Sequence, residues 1–183
     1  MLIAVTCASQ APAATLRGVD EEGDLSGPFV ALEGHVSLFS DIAERSMAAG
    51  TFGYGARGGY RWNDWGLLLA VEHNMWIATE YDTNVVQGAV NIGVGGDFVY
   101  GGGLVRTSLA IGPSILAYDT ILDDAGSVGF YLDARPVGLR WAVHEVLVIG
   151  LDPINFAVVA PVLDKIPLVY IQYRTFVYLE AAF

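Results

Sequence analysis

Glu33, His35 and Ser37 supply an acid, a base and a nucleophile within one short stretch, the residue types used in acyl hydrolysis and acyl transfer. Their spacing of two puts them on one face of a strand, where alternate residues stand roughly 6.5–7 Å apart. A working nucleophile–base pair needs a hydrogen bond of about 3 Å, so none of the three activates its neighbour along the strand. Polar filling of an interior is the reading that this spacing favours, with a lipid-modifying acyl hydrolase or transferase as the enzymatic alternative. His35, His73 and His144 share no metal-ligand spacing, and the single cysteine, Cys7, excludes an intramolecular disulfide and a multi-cysteine metal site. Neither a metal nor a cofactor is expected. Gly93-Val94-Gly95-Gly96 lacks the strand–helix setting of a phosphate loop and reads as a turn. Asp119, Asp123 and Asp124 lack calcium-loop spacing, so a solvated acidic loop is preferred there over a divalent-cation site.

The elements that must position these residues are strands. The last residues of the chain alternate: Ile171, Tyr173, Thr175, Val177, Leu179, Ala181 and Phe183 on one side, Tyr170, Gln172, Arg174, Phe176, Tyr178 and Glu180 on the other. A period of two over this length means a long strand with one lipid-suited face. Seven further stretches read as strands: Pro28–Ser40, Gly50–Trp62, Trp65–Ala78, Asn84–Val94, Phe98–Ile111, Ser127–Arg140 and Val146–Val159. Leu68 breaks the pattern of the third. The seventh is apolar on both sides and carries Pro153, which predicts a bulge and leaves its facing open. Short links (Asn63-Asp64, Gly95-Gly96-Asp97, Ala142 to Glu145) alternate with longer ones, as short turns and long loops do in membrane barrels.

Composition agrees. The chain of 183 residues fits one domain and is 54% hydrophobic, yet no apolar run reaches the roughly 18–20 residues of a spanning helix. The net charge of −11 argues against nucleic acid as a partner. Leu2 to Ala8 and the following Ala11-Pro12-Ala13-Ala14 resemble the apolar core and cleavage site of a secretory signal. The expected organisation is a signal remnant over residues 1–14, a flexible acidic leader over 15–27 with Glu21, Glu22 and Asp24, and a barrel over 28–183.

The charges are sorted by face. Arg57, Arg61, Arg106, Arg135 and Arg174 all lie opposite the continuous apolar set, together with Glu33, Glu72 and Asp133. An arginine facing lipid at mid-depth costs roughly 2–4 kcal/mol, so this sorting is expected where the apolar face meets lipid. A soluble lipocalin-like barrel would invert it. These eight residues are the expected polar network of the barrel interior. Eight strands leave room only for side chains, which predicts a filled core, with a narrow channel for small solutes as the alternative.

The strand count, the alternating connections and the terminal aromatic strand resemble the small eight-stranded bacterial outer-membrane barrels, the family of OmpX and the OmpA membrane domain. The resemblance implies an all-β, eight-stranded antiparallel up-and-down transmembrane barrel in the bacterial outer membrane. It also implies a C-terminal sorting signal at Tyr173, Val177, Leu179 and Phe183, read by the barrel assembly machinery. Outer-membrane lipid and lipopolysaccharide are the implied surroundings, and the expected role is structural or surface-interacting through acidic loops, with the surface ligand unnamed.

Overall fold

The computed structural model describes residues 26–41, 49–76, 86–118, 127–163, 166–167 and 169–183. Every regular element is a strand: β1 (Gly27–Asp41), β2 (Ala49–Trp62), β3 (Trp65–Trp76), β4 (Val86–Tyr100), β5 (Val105–Tyr118), β6 (Ser127–His144), β7 (Leu147–Leu163), β8 (Ile166–Pro167) and β9 (Tyr170–Ala182). Each long strand pairs antiparallel with the next in sequence. β9 pairs with both β7 and β1, and β6 pairs with β7, so eight long strands close into an up-and-down barrel. β8 is only a two-residue rung on the end of β7.

Closure leaves no open edge, and every wall strand finds both its neighbours. The two faces differ in charge. Leu32, Val36, Leu69, Val94, Ile111 and Val177 stand exposed on the outside, while Glu33, Arg57, Glu72, Asp133 and Arg174 are buried inside. Leu68 also points inward, where it packs with Phe29, Ala70 and Ala110. It is therefore no exception to the alternation of β3. Tyr60, Trp62 and Trp65 stack beside the Asn63-Asp64 turn, with Phe98 and Tyr100 on the adjacent strand, which makes an aromatic girdle at the short-turn rim. Phe183 sits at this rim as well, its N–H donating to the Pro28 carbonyl at 3.0 Å.

One expected turn is corrected. Gly95-Gly96-Asp97 lies inside β4, paired in register with both β3 and β5, and the chain turns at residues 101–104 instead. Gly101, Gly102 and Gly103 there have φ of 63°, 67° and 88°, a left-handed run that side-chain-bearing residues resist. The earlier glycines are used differently: they are extended, and at Gly95 a Cβ would run into the Leu109 carbonyl and the Ala110 backbone of the neighbouring strand.

Two bulges set the facing of β6 and β7. On β6, Tyr131, Asp133 and Arg135 point inward, but beyond Pro136-Val137 the inward residues are Gly138 and Arg140. On β7, Val148, Gly150 and Asp152 point inward, and beyond Pro153-Ile154 they are Asn155, Ala157 and Val159. Proline has no N–H for the ladder, so an extra residue is tolerated at each position. Without the first bulge Arg140 would face lipid. The carbonyl freed at each bulge is capped from the outer face: Thr107 Oγ1 donates to Pro136 O at 2.8 Å, while Tyr173 Oη and Thr175 Oγ1 donate to Pro153 O at 3.0 and 3.1 Å. These hydroxyls explain why polar residues stand on a face otherwise made for lipid, where an unmet carbonyl has no water to turn to. Replacing both caps of Pro153, Tyr173→Phe with Thr175→Val, is expected to destabilise the barrel by about 1–3 kcal/mol, read from urea unfolding in lipid vesicles. Unchanged stability would mean that the carbonyl needs neither hydroxyl.

Candidate functional site: the charged lumen

The residues that alternation sends inward meet across a narrow space and pair. Arg135 is the central member. Its Nη1 and Nη2 donate to Glu33 Oε2 and Oε1, both at 2.8 Å, and its Nε donates to Asp133 Oδ2 at 2.8 Å. Nη1 also reaches Asp152 Oδ2 at 3.1 Å, and the guanidinium lies 3.8 Å from the Phe176 ring centroid. The residues immediately preceding the two bulge prolines, Arg135 and Asp152, are thus joined across the β6–β7 pair.

Toward the short turns, Glu180 collects cations from three strands. Arg61 Nη1 reaches its Oε1 at 3.4 Å, Arg140 Nη2 donates to the same oxygen, and Arg106 Nη1 lies 3.7 Å from Oε2. Arg61 also donates to Asp97 Oδ2 at 2.8 Å, and Arg140 donates to the Gly103 carbonyl at 3.1 Å, which ties the glycine turn to the lumen. Arg106 links this level to the centre through Asp152 Oδ2 at 2.5 Å. Toward the long loops, Arg174 Nη1 lies 2.9 Å from Glu72 Oε1 and 3.8 Å from Asp133 Oδ1, and its Nε donates to Gln172 Oε1 at 2.7 Å. Asn74 and Asn91 donate to Glu72 Oε1 at 3.0 and 2.7 Å.

Arg57 is held more loosely than the others, with Nε 3.5 Å from Glu33 Oε2 and its guanidinium carbon 4.9 Å from the Tyr178 ring centroid. The other face of Tyr178's environment is Gly150, where a Cβ would run into the phenol ring. Gly150 is what lets a tyrosine lie in the lumen and carry Arg57 and Arg106 against its ring.

All eight residues picked out by facing, Glu33, Arg57, Arg61, Glu72, Arg106, Asp133, Arg135 and Arg174, are buried in this network. Four more charged members, Asp97, Arg140, Asp152 and Glu180, were not singled out by the sequence. Asp97 was hidden by the expected turn, Arg140 and Asp152 by the bulges. Glu180 had its alternation in plain view. Six arginines thus face six carboxylates, and the ion pairs connect all twelve into one column from the short turns to the long-loop end. His35 and Ser37 are not brought together: His35 Nε2 shares a 2.6 Å hydrogen bond with Asn74 Oδ1, while Ser37 pairs with Thr51. Among the described residues the hydrogen-bond partner of Ser37 is Thr51 and not a base. Asp119, Asp123 and Asp124 lie outside the described residues, as do Cys7 and the acidic leader, and among the described residues no group of three or more potential ligands could hold a metal.

An eight-stranded barrel that is apolar outside and ion-paired inside is a membrane-spanning barrel, because only lipid makes that polarity favourable. Known structures that share its fold include outer-membrane barrels of the small eight-stranded class. Neisserial surface protein A superimposes with a TM-score of 0.64 at 16% identity, over 86% of this chain and 98% of the other. Ail, the attachment invasion locus protein of Yersinia pestis, crystallised with the heparin analogue sucrose octasulfate, superimposes with a TM-score of 0.53 at 13% identity, over 86% and 99%. No protein-family model and no curated protein sequence matches the chain.

Glu180→Gln is the sharpest test of the lumen, since it leaves Arg61, Arg140 and Arg106 short of their shared carboxylate. Breaking a buried pair by removing one partner is expected to cost about 3–5 kcal/mol, measured by urea unfolding in vesicles. A second variant, Glu180→Gln with Arg140→Met, should recover part of that loss. Additive losses in the double variant would show that the two residues do not act as a pair.

Proposed function

We propose that this protein is an outer-membrane barrel with a sealed, charge-compensated core, and that its work is done by the long loops as a surface-interacting or structural element. The observation that carries this reading is the charge balance of the lumen. Six of the nine basic residues and six of the 20 acidic residues are consumed there, which leaves 14 acidic groups against three basic ones elsewhere. The described lumen charges therefore cancel, and the net charge of −11 is carried by the other residues of the chain. Much of it falls in the long connections, at Glu44, Glu80, Asp82, Asp119, Asp123 and Asp124.

That sign has a consequence for recognition. Ail was crystallised with a polysulfated ligand, and an acidic loop set repels such a molecule and favours a cationic partner instead. In the same reading, Tyr173, Val177, Leu179 and Phe183 form the terminal signal for the barrel assembly machinery, and lipopolysaccharide surrounds the long-loop rim. The filled lumen favours a stability role for the twelve charged residues over conduction, and the separation of His35 from Ser37 favours no lipid-modifying chemistry.

The test begins with refolding into detergent and, separately, into plain buffer. Strand circular dichroism and a boiling-dependent gel shift are expected in detergent alone, with no steady open conductance in planar bilayers. Proteoliposomes should then bind polylysine, and Asp119→Asn/Asp123→Asn/Asp124→Asn should weaken that binding several-fold, while sucrose octasulfate gives no signal. A monodisperse β-protein in buffer, or a persistent open channel, would overturn the reading.

A further inference from the structure

Between its aromatic girdles, the outer face of the described strands is built from apolar residues, glycine, threonine and tyrosine, with one exception. His73 of β3 stands on that face, directly paired with Tyr54 of β2. It is the one ionisable side chain besides tyrosine that the described wall turns to lipid. Thr107 and Thr175 are accounted for by the bulge carbonyls that they cap. His73 caps nothing.

It stands toward the long-loop end of its strand. His73 lies three residues from Trp76, where β3 ends. At about 3.3 Å per residue and a tilt near 40°, that is roughly 7–8 Å below the end of the strand. Phe52 and Tyr54 on β2, and the Phe156–Tyr173 pair on β7 and β9, occupy the long-loop half of the same outer face. Aromatic side chains of this kind mark the boundary between acyl chains and headgroups.

The local geometry leaves one donor over. Tyr54 Oη lies 3.4 Å from His73 Nδ1, and the two rings meet edge to face at 5.6 Å and 87°. With the phenol donating to Nδ1, the imidazole proton sits on Nε2. Among the described residues Nε2–H finds no acceptor. In that tautomer Tyr54, which is 57% exposed, holds the ring and leaves its Nε2–H over.

We propose that His73, oriented by Tyr54, is a contact site for the phosphate of an outer-leaflet glycolipid. His73 Nε2–H donates to a phosphate oxygen, a charge-assisted hydrogen bond. Tyr54 is a positioning residue that fixes the tautomer. The proposal rests on the outer-membrane reading for the side of the bilayer that it assigns to the long loops.

The experiment uses the full chain refolded in detergent and measures lipid retention by native mass spectrometry. Three lipids are offered separately: bis-phosphorylated lipid A, the same lipid dephosphorylated, and phosphatidylglycerol. Phosphorylated lipid A should be retained best, and His73→Phe should lower its occupancy about tenfold. Tyr54→Phe should lower it several-fold, and His144→Gln at the opposite rim should leave it unchanged. His73→Phe puts an apolar ring on a lipid-facing position, so the boiling-dependent gel shift should persist and report folding separately. Equal retention by His73→Phe, equal retention of dephosphorylated lipid A, or a preference for phosphatidylglycerol would each overturn the proposal. Loss of the gel shift in wild type would instead sink the membrane-barrel reading beneath it.

Discussion

A barrel wall one residue thick gives each side chain only two places to go, and lipid forbids one of them to charge. Everything else in this molecule follows from that constraint. Twelve ionised groups sit in a lumen with almost no water access, so each must find its counter-charge there or leave an uncompensated ion at a cost of several kcal/mol. Equality of number is not enough. Arg135 shows how the geometry is met, with a two-pronged contact to Glu33, a third donor on Asp133 and a flat face on Phe176. Arginine suits this role better than lysine because its donors are spread in a plane and its faces stack on rings. None of the described lumen cations is a lysine.

The column also needs the wall to bend. A regular strand keeps one parity from end to end, and β6 as a regular strand would send either Asp133 and Arg135 or Arg140 into lipid. The bulge at Pro136-Val137 removes that conflict, and its counterpart at Pro153-Ile154 brings both Asp152 and Asn155 inside. Each bulge would leave a carbonyl unmet on the lipid side, so hydroxyls appear there on neighbouring strands. A chain of necessity runs from an inner arginine to an outer threonine: the charge requires the bulge, and the bulge requires the cap.

These dependencies explain what the sequence discloses. Where strands are regular, alternation alone places Arg57, Arg61, Glu72 and Arg174, because one residue's face fixes all the others. Arg140 and Asp152 are illegible in that way, since a bulge changes the face without changing the local residue pattern. The clue to them is proline following a charged residue in an otherwise strand-like run, as in Arg135-Pro136 and Asp152-Pro153. The Gly95-Gly96-Asp97 segment misleads for a different reason. Its composition is that of a turn, but Gly95 serves a close approach to the backbone of β5, and only pairing with β3 and β5 distinguishes the two uses. Facing, in turn, says nothing about which carboxylate each arginine selects, which depends on the stagger of strands around the barrel.

The same constraint separates stability from recognition. Because the described lumen charges balance and their ion pairs run from rim to rim, removing one leaves its partners uncompensated. The loops obey no such rule. Residues there are not held to the two-faced alternation of a strand, and in sequence they carry more acid than base. The lipid-facing wall lies between these extremes, free to vary among apolar residues but closed to ionisable ones. His73 stands against that rule, at the depth where acyl chains give way to headgroups and a polar partner can come from the bilayer itself. A residue that folding would exclude is best explained by what it meets outside the fold.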